Sequence, residues 1–112
     1  MCRIGDIYLA KLDYDKEGSL QSGIRPVLVV SNNKANRFSP VITVVPLTGN
    51  TRKRNQPTHV IISGCGLTGP NTVLAEQITA LNQTRLLKKI GSIKETVYEG
   101  QIKEAIKVQL GM

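Results

Sequence analysis

Few side chains in this 112-residue sequence are equipped for chemistry, and their distribution points away from a metal centre. Holding a divalent cation takes several Asp or Glu oxygens. All eight carboxylates lie in residues 1–17 or 76–112, and none in 18–75. Asp6, Asp13, Asp15 and Glu17 could gather only through loop geometry, so neither a metal nor another cofactor is expected. His59, the single histidine, has the ring type that usually serves as general acid or base near neutral pH. It falls inside an alternating strand pattern, where a lone histidine packs or hydrogen-bonds, and a supporting role is the most it is assigned.

Gly64-Cys65-Gly66-Leu67-Thr68-Gly69 has the form of a dinucleotide-binding fingerprint. That site needs a helix opening at the glycines and an acid about 20 residues on. Here Pro70-Asn71 follow and position 89 is Lys, so the segment reads as a turn. Arg25 and Thr48 are more promising. Arg25 stands where a loop enters a strand and Thr48 where another strand ends, positions from which side chains converge on a cleft. A planar guanidinium can donate paired hydrogen bonds to a phosphate, and a hydroxyl can add one more. Each also suits a plainer role, Arg25 as a solvated strand start before Pro26 and Thr48 as a turn former.

Charge narrows the partner. The formal net charge is +7, and the acid-free stretch 18–75 carries Arg25, Lys34, Arg37, Arg52, Lys53 and Arg54. A surface of one sign over half the chain suits a polyanion, and nucleic acid is the expected partner.

The elements that must position these residues are mostly strands. The length fits a single domain, 1–112, with one core. Its apolar content of 40% includes one Phe, three Tyr and no Trp, which leaves a core of Val, Ile and Leu. Strands are expected at 7–12, 27–30, 41–45, 58–62, 73–75 and 78–81, with a further strand or turn around Leu86, Leu87 and Ile90. Residues 13–24 read as a long loop, 36–40 as a turn or short helical bend, and 49–57 as a basic loop. Tyr98, Ile102, Ala105, Ile106 and Leu110 recur at helical spacing, and Ser92 with Glu95 has the form of a capping box. The pattern predicts a mainly β fold with a C-terminal helix, an SH3-like small barrel or a compact sandwich. Cys2 and Cys65 are too few for a disulfide framework and read as free thiols. No apolar run reaches the roughly 18 residues of a membrane helix, so a cytoplasmic protein with no membrane partner is expected.

Taken in order, several segments resemble the MazF/PemK family of toxin endoribonucleases. Gly5-Asp6-Ile7-Tyr8 is similar to the family's opening. Gly18-Ser19, Gln21 and Gly23-Ile24-Arg25-Pro26-Val27 follow its next block, and Asn32 and Asn36-Arg37-Phe38-Ser39-Pro40 continue it. Val45-Pro46-Leu47-Thr48, Pro57-Thr58-His59-Val60 and Glu76-Gln77-Ile78 complete the match. The resemblance implies a homodimeric SH3-like barrel that cuts single-stranded RNA, including mRNA, at a short sequence. It also implies Arg25 and Thr48 as the catalytic pair, and a cognate acidic antitoxin that occupies the RNA groove. Leu20 departs from it, standing where many members have Glu.

RNA carries its own nucleophile, the 2′-hydroxyl, so alignment and charge stabilisation suffice without an activated water. Ser19, Gln21 and Gln77 are candidates for reading unstacked bases, with loop capping as the alternative. Arg52, Lys53 and Arg54 are expected to track the phosphate backbone. Two rival functions share the fold class. One is a protein-binding toxin resembling the CcdB group, which acts on DNA gyrase. The other is a non-catalytic RNA-binding barrel, which four aromatic residues serve poorly as stacking platforms.

Overall fold

The computed structural model describes residues 1–51 and 56–112, and the expected site residues Arg52, Lys53 and Arg54 lie outside them. The chain forms β1 (Asp6–Leu12), β2 (Gly23–Val29), helix α1 (Asn33–Phe38), β3 (Val41–Thr48), β4 (His59–Ile62) and β5 (Asn71–Leu74). A 3-10 turn (Ala75–Gln77), β6 (Thr79–Asn82), a second 3-10 turn (Gln83–Arg85), β7 (Leu86–Ser92) and helix α2 (Tyr98–Leu110) follow. The strands run in the order β4-β5-β3-β2-β1-β7, and β6 pairs with β3 beside that path. Every pairing is antiparallel.

Alternation sorts the core onto two faces. Val27 and Val29 join Cys2, Ala10, Ile42 and Val44 on one side, while Leu28 joins Ile7, Val45, Leu47, Ile62, Val73, Ile93 and Ile102 on the other. A strand buried on both faces is what the unbroken run Val27-Leu28-Val29 requires. Helix α2 caps the second cluster through Ile102 and Ala105, with Tyr98 and Ile106 half-buried beside them.

The expectation of a mainly β fold with a C-terminal helix holds, but the SH3-like closed barrel does not: the sheet is open. Among the described residues its end strands β4 and β7 do not pair with each other. The chain leaving β4 instead crosses onto β7 as a turn. Gly66, at φ +88°, lies so close to β7 that a Cβ there would sit 1.9 Å from the Ile90 carbonyl oxygen. A Cβ on Gly91 would in turn meet the Cys65 carbonyl at 1.6 Å. Backbone packed on backbone replaces a ladder, and Gly66 of the fingerprint-like segment serves this approach together with Gly91.

Three local expectations need correction. β2 begins at Gly23, earlier than the apolar run, because β1 supplies cross-strand partners as far as Leu12↔Gly23. Residues 33–38 form a true helix, since the Asn32 side chain accepts from the Ala35 N–H at 2.8 Å and caps it. The capping box does not form. Ser92 Oγ accepts from the Lys94 N–H, Glu95 has φ +62°, and α2 starts only at Tyr98.

Candidate active site

The site arises where β3 loses a neighbour. One edge of β3 carries β2 from Val29↔Val44 to Val27↔Pro46, and there the paired register stops. The other edge carries β6 from Val41↔Asn82 to Val44↔Thr79, then β5 at Leu47↔Val73 and Thr48↔Thr72. Between β5 and β6 the register slips by the three residues of the Ala75–Gln77 turn, which are looped out from the sheet. The sheet forks at Pro46 and Leu47, and a polar cleft of about 270 Å³ opens beside Thr48.

Its walls come from three segments. Gly18, Ser19 and Gln21 belong to the loop between β1 and β2, and Glu76 and Gln77 to the looped-out turn. Thr48, Asn50, Gln56 and His59 complete the lining together with Leu74. The Thr48 hydroxyl accepts from the Asn50 N–H at 3.2 Å, and among the described residues its own hydrogen meets no acceptor.

Five sequence-predicted residues thus come together: Ser19, Gln21, Thr48, His59 and Gln77. Arg25 is a near neighbour but does not line the cleft. It pairs across the sheet with Ala10, and alternation puts it on the face of Val27. Arg25 and Thr48 each lie two residues beyond Val27↔Pro46, the last pair of the β2–β3 register, on the side of their strands that carries Val27 and Pro46. The Arg25 side chain is exposed, and its Nε donates to the Ser22 carbonyl at 3.1 Å, at the root of the loop that walls the cleft.

His59 turns out to be paired. Its side chain is 93% buried, and Nε2 lies 2.7 Å from Glu76 Oε2. Burial, the largest single influence, pushes the Glu76 carboxyl up, but hydrogen bonding, to the His59 ring above all, and the attraction of the His59 charge together outweigh it and hold the group below the ordinary carboxylate range. Among the described residues, His59 Nδ1 and Glu76 Oε1 are buried without a hydrogen-bond partner. Sequence reasoning missed Glu76 as a site residue, as it did Asn50 and Gln56. A carboxylate at a strand break, beside the only amide-bearing residue of that break, was the available signal.

Gln77 is also spoken for. Its Oε1 accepts from the Gln21 N–H at 2.8 Å, and its Nε2 donates to the Ser19 carbonyl at 3.1 Å. The loop-capping alternative therefore describes its contacts. Among the described residues no three His, Cys, Asp or Glu side chains group as cation ligands would. No helix of the described residues is long and apolar enough to cross a membrane.

Residues 3–110 match the family of PemK-like, MazF-like toxins of type II toxin–antitoxin systems. The chain belongs to the PemK/MazF toxin family. It is 38% identical to the endoribonuclease MazF of Staphylococcus saprophyticus over 114 aligned positions, covering 100% of this chain and 93% of that protein. Among solved structures it resembles an endoribonuclease in complex with its cognate antitoxin from a mycobacterial species. The TM-score is 0.82 at 30% identity, with 100% of this chain and 97% of the other covered. The Mycobacterium tuberculosis toxin MazF-mt6 superposes with a TM-score of 0.78 at 25% identity, over 96% of this chain and 97% of that one. Membership of the PemK/MazF family favours a nuclease over the gyrase-directed alternative.

Proposed function

We propose that this toxin endoribonuclease cuts single-stranded RNA at a short sequence without a metal ion, using Arg25 and Thr48 as its catalytic pair. What supports this reading is the fork of the sheet, which opens a polar cleft at Thr48, with Arg25 two residues beyond the last β2–β3 pair, Val27↔Pro46. Arg25 reaches the scissile phosphate by turning from the Ser22 carbonyl, a single exposed hydrogen bond. Its guanidinium then donates two parallel hydrogen bonds to the non-bridging oxygens, and the Thr48 hydroxyl donates a third. Charge that builds on those oxygens is stabilised most where RNA has displaced water.

The 2′-oxygen attacks phosphorus as the bond to the 5′-oxygen breaks, which leaves a 2′,3′-cyclic phosphate and a free 5′-hydroxyl. The 2′-hydroxyl proton passes to a water that Arg25 orients, and the departing 5′-oxygen takes up a proton from solvent water. His59 stays committed to Glu76 in support of the cleft wall. Ser19 and Gln21 face the unstacked bases, and Arg52, Lys53 and Arg54 follow the backbone. The active form is a cytoplasmic homodimer, held in check by a cognate acidic antitoxin that competes for the same groove. A mycobacterial relative solved in complex with its cognate antitoxin supports the antitoxin partner.

The test is cleavage of a long RNA by the purified protein, with end mapping. Cuts at a recurrent motif should persist in EDTA and disappear when the 2′-hydroxyl at the cut site is replaced by hydrogen. Continued cleavage of that 2′-deoxy substrate would falsify attack from within the ribose.

A further inference from the structure

Residues 15–22 of the loop between β1 and β2 fold largely on themselves. Asp15 accepts from the N–H groups of Glu17 and Leu20 through its carboxylate, and from that of Gly18 through its carbonyl. Such a turn keeps its own shape without fixing where it sits on the molecule. Among the described residues, the hydrogen bonds that reach residues 15–21 from another element are the two made by the Gln77 amide. One end of that amide donates to Ser19 and the other accepts from Gln21, so the side chain completes a short backbone-like bridge across the cleft.

Gln77 in turn is held by its neighbours in the looped-out turn. Ala75 is fully buried and donates its N–H to the Thr58 carbonyl at 3.0 Å. Glu76 is pinned to His59, the first residue of β4. Successive residues of one 3-10 turn therefore attach to β4 on one side and to the loop on the other.

We propose that Gln77 is a positioning residue that straps the Ser19–Gln21 segment against the cleft, and that the His59–Glu76 pair fixes the strap and so governs RNA affinity through the loop. This deepens the ribonuclease reading and rests on it only for its RNA-binding consequence. A strapped loop meets RNA already ordered, and binding then avoids the entropy of freezing it. Because both ends of the Gln77 amide are engaged, removing it weakens every RNA sequence alike.

Amide hydrogen exchange at Gln21 reads the strap without RNA. In Gln77→Ala and in Glu76→Ala the Gln21 N–H should exchange about tenfold faster or more, on the order of one lost hydrogen bond. Glu76→Gln, whose carbonyl oxygen can still accept from the His59 ring, should stay near wild type, and thermal melting confirms that each variant is folded. Binding of RNA oligonucleotides carrying a 2′-deoxy group at the cut site supplies the second readout. Gln77→Ala and Glu76→Ala should weaken all of them by a similar factor. Unchanged Gln21 exchange in Glu76→Ala overturns the role of the pair. An affinity loss confined to one base at one position overturns positioning in favour of base reading. A wild-type protein that binds no RNA defeats the ribonuclease reading instead, and the exchange measurement still decides the strap.

Discussion

The two ends of β3 do different work on one strand. Its first half pairs with β6 from Val41 to Val44, where β2 joins on the other edge, and its inward side chains Ile42 and Val44 are almost wholly buried. At its last residue, Thr48, only β5 remains, because the β2 ladder has stopped two residues earlier. The sandwiched half contributes stability, and the half-open end contributes a wall of polar groups that a ligand can reach. A sheet that forks creates a cleft without any added domain, since diverging strands leave polar groups exposed that continuous pairing would have covered.

Arg25→Ala should give the largest effect and sharpen the contrast. Single-turnover cleavage is expected to fall by about 10²–10³-fold. Because the side chain is exposed, the unfolding free energy should move by no more than about 0.5 kcal/mol. A rate that survives the substitution would remove the open end of the sheet from the chemistry.

Ile42→Ala probes the other half of β3. Deleting this buried side chain should cost about 2–5 kcal/mol in urea unfolding, while the rate per folded molecule is preserved. Coupled loss of stability and rate would mean that the two halves do not act separately.

The smallest effect concerns pH. The folded-state pKa of Glu76 lies below its ordinary value, so its contribution to stability is fully present above the unfolded carboxylate pKa of about 4.3. That contribution disappears as pH falls through the lower folded value. Melting temperatures of wild type and Glu76→Gln, followed from pH 7 down to pH 3, should therefore converge at the acid end. A gap that stays constant over that range would show that ionised Glu76 does not stabilise the turn.

Much of the molecule was legible in its residues. Apolar runs and alternation located the strands, because burial on one or two faces leaves a period that needs no tertiary information. The helical period of Tyr98, Ile102, Ala105 and Ile106 located α2, though a positive φ at Glu95 delayed its start past the apparent capping box. The ordered motifs around Arg25 and Thr48 indicated the family. The route to the cleft was less visible, since Thr48 opens into it only where the β2–β3 register has stopped, and Arg25 lies on a different strand beyond the last pair, Val27↔Pro46.

What the sequence determined by itself is local: periodicity, the acid-free basic half, and residue types suited to gripping a phosphate. Only the tertiary structure decided that the sheet stays open, that Glu76 and Gln77 are looped out by a three-residue slip, and that the Gln77 amide bonds the loop between β1 and β2. Those outcomes depend on which distant backbone groups find one another, and no short window of residues contains both partners.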